Sequence, residues 1–467
     1  MKIVISNKIY CKPSNELWEY LLKHTSYQIF KPGAKYPLMF QNSGSVGKEI
    51  KWFPVTRLDL LESFGQKVTE IVDKRTLVPV DIPKPSFTLR PGDQLPIYED
   101  CNDTCIINGK PGFGKTILAL AIAHKLGQKT LVICTNTTIR AMWEKEVRKF
   151  FGIEPGVIGS GKFNIDSPIV ISNIQTVNKH GAALAKEFGT VIVDEVHHCV
   201  ATTFTKFLEQ SSARYKIGLS GTLKRKDGLQ VMFKDYFGTK VYSPPVNNTL
   251  PPTIHRFALK TQVSGNMNVP WAIRANDVYS QPEYFQQVVD LCELYSMAGH
   301  KVLFVSDRID LIERVTNALE LRGVKTYTIT GVTSLDDREQ VQIDVTNDGP
   351  CVLAASQSIF SEGVSLNALS CLVLGSLINN ESLIEQLAGR VQRMADDKLD
   401  PILVDLKLGG VGFKQAAGRE AVYRLNGWEV LDFNEKNMVN LDKILFAKNP
   451  KADLQRRVKQ IVKNFSC

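Results

Sequence analysis

No apolar run of about 18 residues occurs anywhere in this chain, and the opening "MKIVISNKIYCK" holds no apolar core of signal-peptide length. Membrane-spanning helices are excluded on that ground, and the expectation is a soluble, cytoplasmic protein. Low-complexity tracts and short internal repeats are also missing. The nine cysteines are scattered and odd in number, which argues against a disulfide framework and for a reduced chain. Cys101 and Cys105 lie four apart, yet no second Cys/His pair follows at finger-like spacing, so no zinc site is expected. Acidic residues are the minority, 48 against 57 basic ones, for a net charge of +9. The surplus is uneven. Residues 1 to 60 carry nine Lys/Arg and four Asp/Glu, and Lys443 to Lys463 hold seven basic residues and one acidic. Basic ends around a balanced centre suggest a polyanionic partner, most simply nucleic acid, against the plainer reading of a solvated lysine-rich surface.

What is present divides by texture. At 467 residues, 43% of them hydrophobic, the chain is long enough for about three domains with real cores. Residues 1–82 open on an alternating stretch, "KIVISNKIY", followed by "NELWEYLLKH" with Leu17, Tyr20, Leu21 and Leu22 at helical spacing. Aromatic and basic residues then interleave through "KYPLMF" and "EIKWFPVTR", and the proline-rich "VPVDIPKPSF" reads as a linker. From there to about residue 247, β-branched runs ("TLVICT", "PIVISN", "VIVDE", "YKIGLSG") alternate with helical stretches, as parallel strands with crossover helices do. After a second loop, "SPPVNNTLPPT", the alternation resumes through residues 248–467 in "KVLFVS", "KTYTIT", "CVLAAS", "CLVLG" and "PILVDL". The fold class is α/β, two tandem parallel-sheet domains behind a small α+β module.

"NGKPGFGKT" contains G-x-x-x-x-G-K-[ST] from Gly109 to Thr116, after an apolar run and before a helical one. In that setting the backbone of Gly109, Lys110, Pro111, Gly112, Phe113 and Gly114 wraps phosphate oxygens at the positive end of a helix. Lys115 would neutralise the β- and γ-phosphates, and Thr116 would ligate magnesium. The partner carboxylates stand in "VIVDEVHHC": Asp194 to hold magnesium through water, Glu195 to polarise the attacking water. His197 is expected to hydrogen-bond to another motif rather than bind zinc, and Cys199 to be structural. The cofactors expected are ATP and Mg2+. In "QLAGRVQR", Arg390 and Arg393 are placed three apart on one helix face, suited to act as arginine fingers, with Gln386 beside them.

Together these residues give the chain a resemblance to superfamily-2 helicases of the XPB-like and UvsW-like branch, over residues 87 to 405. "FTLRPGDQ" resembles the adenine-recognising segment, which makes Gln94 the base contact. "ICTNTTIRAMW" and "SNIQTV" resemble motifs facing the nucleic-acid backbone, implying contacts from Thr135, Asn136, Ser172 and Gln175. "VDEVHH" matches the D-E-x-H box, and "GLSGTLKRKDG" resembles the motif in which Ser220 and Thr222 couple hydrolysis to domain closure. In the second half, "FVSDR" and "TGVTSLDDRE" imply nucleic-acid contacts from Ser306, Arg308 and Gly331. "QSIFSEGVSL" implies nucleotide contacts from Glu362 and Gly363, although Ser365 stands where many relatives have Asp.

The resemblance implies two RecA-like domains with ATP held between them, and a motor gripping mainly phosphate backbone. The small module, with Trp52 among its aromatics, resembles the front domain of phage branch-migration helicases. It implies a monomeric DNA helicase or translocase acting on forks, junctions or duplex, without membrane or zinc. A duplex translocase that separates no strands, an RNA helicase and a non-hydrolysing nucleic-acid-binding protein stay open. The end of the chain, with Leu454, Val458, Ile461 and Val462 as an apolar stripe, reads as a basic amphipathic helix. It either docks on the second domain or contacts DNA through Arg456 and Arg457.

Overall fold

The computed structural model describes residues 1–29, 36–110, 112–196, 205–221, 223, 229–244, 249–358, 366–378, 380–395, 398–434, 441 and 445. Contacts divide the chain into two units, Met1–Val246 and Asn247–Cys467.

The first unit begins with a five-stranded sheet in the order Gly44–Val46, Ile50–Pro54, Lys8–Cys11, Lys2–Ile5, Glu70–Asp73. The alternating opening stretch forms two antiparallel strands, with Ile3 opposite Cys11 and Ile5 opposite Ile9. Their inward side chains pack on Leu17 and Leu21 of helix Asn15–His24. Ser14 caps that helix by accepting from the Leu17 amide at 3.2 Å, which satisfies one of its orphan donors. The hairpin of Ser26–Ile29 and Leu38–Gln41 sends Tyr27 and Phe40 into the core of the neighbouring sheet instead.

That neighbouring sheet has eight strands, ordered Lys162–Phe163, Gly156–Gly159, Ile169–Asn173, Thr130–Cys134, Thr190–Val193, Tyr215–Ser220, Cys105–Asn108, Val241–Tyr242. Its central strands are parallel and buried along their whole length, because helices cover both faces. Side chains alternate between the two layers: Val191 and Val193 join one cluster, Ile192 the other. "VPVDIPKPSF" runs as a strap packed on this domain rather than as a free linker. The Val80 amide donates to Gly127 O at 3.0 Å, Ile82 is buried, and its carbonyl lies 2.8 Å from His124 Nδ1.

The second unit is built on seven parallel strands ordered Thr326–Ile329, Val352–Ser356, Val302–Ser306, Cys371–Leu374, Ile402–Gly410, Thr253–Val263, Val430–Phe433. Val302 and Phe304 face one layer while Leu303 and Val305 face the other. Strand Thr253–Val263 was not among the expected ones, since His255 and Arg256 interrupt its apolar pattern. Both are buried by partners from other elements: His255 Nδ1 lies 2.6 Å from the Tyr295 hydroxyl, and Arg256 bonds Asp432 and Glu420 at 2.6 and 2.9 Å. No helix among the described residues is long and apolar enough to cross a membrane.

Candidate nucleotide site

Open parallel sheets bind ligands at the carboxyl ends of their strands, and the candidate residues of the first unit collect there. Strand Cys105–Asn108 runs into the loop, and helix Lys115–Leu126 leaves it. The turn requires left-handed backbone at Gly112 and Gly114, with φ of 86° and 84°. A Cβ at Gly114 would stand 2.7 Å from Gln94 Nε2, so the loop closes tightly on that side chain. Gln94 is 2% exposed; its Nε2 donates to Phe113 O at 3.0 Å, and its Oε1 accepts from the Arg90 amide at 3.1 Å. Arg90 also donates to Phe113 O, at 2.6 Å, and is braced by Asp93 at 2.8 Å. Gln94 therefore holds the loop backbone. The Phe113 ring points into the core, which leaves only its backbone for a ligand. Lys110 and Gly112 are exposed. Lys115 Nζ donates to Gly109 O across 2.9 Å, curling over the loop that it closes. Thr116 is partly exposed in the first turn of the helix. Pro111 lies outside the described residues.

Asp194 follows strand Thr190–Val193, two strands from the loop, at a lateral spacing of about 10 Å. Strand Tyr215–Ser220 lies between, with Val193 beside Gly218 and Ser220 beside Asn108. Ser220 is fully buried at this junction. Asp194 is 6% exposed and receives Trp143 Nε1 at Oδ2 (2.8 Å) and the Glu195 amide at Oδ1 (3.0 Å). Burial first, then the neighbouring Glu195, pushes its pKa up to about 6, while the indole N–H and Lys115 oppose the rise. Glu195 has φ of 52°, a left-handed conformation rare for a residue with a Cβ; such strain costs about 1–3 kcal/mol and concentrates at functional sites. Among the described residues no cluster of three or more His, Cys, Asp or Glu could hold a metal. A hydroxyl and an anionic carboxylate facing one crevice are hard oxygen donors, which fits magnesium arriving with phosphates. His197, Cys199 and Thr222 lie outside the described residues.

The expected nucleic-acid residues divide. Asn136 caps helix Thr137–Phe151 by accepting from the Ile139 amide at 2.9 Å, and Thr135 adjoins it. Gln175 and Gly331 are exposed. Ser172 and Ser306 are not: both are fully buried, Ser172 donating to Ile158 O at 2.8 Å and Ser306 accepting from the Arg308 amide at 3.1 Å. Their side chains sit inside the strand ends, so a contact at either position falls to backbone. Arg308 reaches Asn276 at 2.7 Å and Asp307 at 3.4 Å. Trp52 is half-buried, with Lys8 Nζ 3.2 Å above its ring and Gly44 against it, so one face of the indole is already covered. Arg456 and Arg457 lie outside the described residues.

In the second unit, helix Glu381–Val391 carries Gln386 and Arg390, both partly buried. The helix ends there with Gln392 as its cap, so Arg393 stands just beyond it rather than on its face. Arg393 Nη1 lies 3.4 Å from Asn367 Oδ1, and burial lowers its pKa. Lys398 secures this end by donating to Val391 O and Arg393 O at 2.7 and 2.5 Å. The entry to the helix is held by a residue that sequence reasoning missed. Arg419, 3% exposed, bonds Asp405 at 2.7 Å and donates to Ile378 O at 2.9 Å. Its motif-free helix "GFKQAAGREAVYRL" gives no signal of that role. Glu362 and Gly363 lie outside the described residues.

Comparison with known proteins settles the family. Residues 67–225 match "Type III restriction enzyme, res subunit", and residues 285–395 match "Helicase conserved C-terminal domain". The chain is 68% identical over 447 residues to the probable helicase D10 of Escherichia phage T5, covering 96% of this chain and 99% of that one. This chain belongs to the superfamily-2 helicases. The helicase is also 26% identical over 316 residues to a putative ATP-dependent RNA helicase of Acanthamoeba polyphaga mimivirus (63% of this chain, 58% of that one). With the DNA 3'-5' translocase XPB2 of Sulfurisphaera tokodaii it shares 22% over 340 residues (64% and 76%). Among solved structures, Dbp5 of S. cerevisiae bound to RNA and ADP BeF3 aligns over 86% of the helicase and 96% of its own chain, at 11% identity and a TM-score of 0.56. That likeness shows the fold, two RecA-like domains of mixed α/β structure. T4 UvsW aligns over 92% and 99% at 15% identity with a TM-score of 0.41, too low a likeness to bear on the fold. Membership of the helicases makes the chain an ATP-using, nucleic-acid-binding enzyme.

Proposed function

We propose that this helicase is an ATP-driven DNA motor that remodels branched DNA, forks and junctions, in phage recombination, repair or replication. The observation that carries the motor is the shared strand-end crevice. Lys115 on its helix and the Asp194–Glu195 pair issue from parallel strands of one sheet, in fixed register on either side of Ser220. Lys115 would exchange its bond with Gly109 O for the β- and γ-phosphates, and the amides of the Gly109–Gly114 loop would close on phosphate oxygens. Thr116 and Asp194 would hold magnesium, which when bound screens the charge of the phosphates. Glu195 would orient the attacking water, and Arg390 and Arg393 would supply positive charge to the transferred phosphoryl group.

The uneven basic surplus supports a nucleic-acid partner, and the name of the Sulfurisphaera tokodaii relative, a DNA translocase, favours DNA. Backbone contact through Thr135, Asn136, Gln175, Arg308 and Gly331 would make the grip independent of sequence. RNA has one observation on its side, the name of the mimivirus relative. A labelled four-way junction and a model fork, incubated with the helicase, magnesium and ATP, distinguish the two. Conversion to linear duplex products that requires hydrolysable ATP is the expected result. No product from either, with unwinding of an RNA duplex beside them, would refute the DNA reading.

A further inference from the structure

Trp143 is the largest of the side chains buried to within 2%. It lies on helix Thr137–Phe151 with Ile139, Val147 and Phe151, a stripe that packs on the sheet. A core tryptophan would satisfy its N–H with any backbone carbonyl. This one is spent on a carboxylate 51 residues away, across a 2.8 Å bond that the charge strengthens. Among the described residues, Trp143 supplies the only side-chain hydrogen bond to Asp194. The indole belongs to the same buried cluster as Val132, Cys134 and Ile192 of the sheet, a close-packed layer in which a side chain of this size has little room to shift.

We propose that Trp143 is a positioning residue for the metal-side carboxylate: its indole N–H fixes the rotamer of Asp194 and so presents the carboxylate in the orientation that magnesium requires. The Glu195 amide holds Oδ1 and the indole holds Oδ2, so the plane of the carboxylate is set from both ends. Each oxygen keeps a further lone pair for a water of the metal shell. Outer partners of this kind orient ligands, and their loss costs about 10- to 100-fold in metal affinity. The inference rests on the reading of Asp194 as the magnesium-side residue.

Trp143→Phe keeps most of the buried ring and removes the donor. The measurement is equilibrium binding of a fluorescent ADP analogue across a magnesium titration, beside thermal melting. In the wild type, magnesium tightens nucleotide binding. In Trp143→Phe the half-saturating magnesium concentration is expected to rise about 10- to 100-fold, with metal-free nucleotide affinity unchanged. An unchanged magnesium midpoint in a folded variant would overturn the proposal and leave Trp143 a packing residue. Loss of metal-free affinity to the same degree would overturn it too, since the damage would then be general. Absence of any magnesium effect in the wild type would instead sink the reading of Asp194.

Should the variant fail to fold, the intact protein still decides. Five tryptophans give five indole N–H resonances, and that of Trp143 is assigned by substituting the other four in turn. It is expected to move when magnesium joins bound ADP and to stay still with ADP alone. A resonance indifferent to magnesium would contradict the inference.

Discussion

Arg57 donates through Nη1 to Asp235 Oδ1 across 3.1 Å, with the guanidinium side chain 3% exposed and the carboxylate 0%. Tyr27 and Asn42 reach the same carboxylate, each at 2.8 Å. Three residues of the N-terminal module thus converge on one acid of helix Phe233–Phe237 in the nucleotide-binding domain. Burial raises the Asp235 pKa, and these donors oppose the rise. The module is consequently fused to that domain through a desolvated charge, with Tyr27 and Phe40 packed into the domain's core.

Removing Arg57 should leave the buried Asp235 carboxylate without its counter-charge, held only by the neutral donors Tyr27 and Asn42. Arg57→Ala is expected to cost about 3–5 kcal/mol, read as a lower urea midpoint at unchanged slope. A loss below about 1 kcal/mol, the level of a surface pair, would show that the node is not desolvated in solution.

Glu195→Gln keeps size and polarity while removing the carboxylate that would orient water. Hydrolysis should fall by about 100-fold or more, with ATP still bound in an equilibrium assay. Normal steady-state turnover would assign the water to another residue.

Arg393→Ala tests the arginine displaced beyond its helix. A finger contributes about 10³-fold or more to turnover, so hydrolysis should collapse while nucleotide affinity holds. A parallel loss of affinity and turnover would make Arg393 a binding residue instead.

Lys216 is 2% exposed and donates to Leu208 O at 3.2 Å. Burial lowers its pKa from 10.5 to about 7. Between those values the unfolded chain binds a proton that the folded chain has lost, so this residue makes stability rise with pH from about 7 upward; below 7 its contribution is flat. Lys216→Met should therefore melt higher than the wild type at pH 6, by about 3 °C or more, with the advantage shrinking by pH 9. An advantage that grows with pH would reverse the assignment.

The sequence made the sheets and the nucleotide loop legible for physical reasons. Runs such as "TLVIC" and "IVISN" are mostly apolar because both faces of their strands are covered, and the loop's glycines and lysine keep the spacing of a phosphate-binding turn. Partnerships across long separations were not legible. The stripe of Ile139, Trp143, Val147 and Phe151 says that Trp143 faces a core, but nothing local says that its N–H meets Asp194. Arg57 and Asp235 are 178 residues apart, and each alone reads as a surface charge. Residues 1–82 looked separable because the proline-rich strap resembles a linker. Their buried bonds to Asp235 mean that deleting them would open the core of the neighbouring domain, so point substitutions are the sound probe of the module.

The most direct test of the motor is steady-state ATP hydrolysis by the wild type and by Lys115→Ala, each alone and with single-stranded DNA, duplex DNA, a four-way junction or RNA. The expected result is hydrolysis stimulated most by the junction or duplex DNA and abolished in Lys115→Ala, whose DNA binding persists. Equal turnover in the two proteins, or stimulation by RNA alone, would contradict the account.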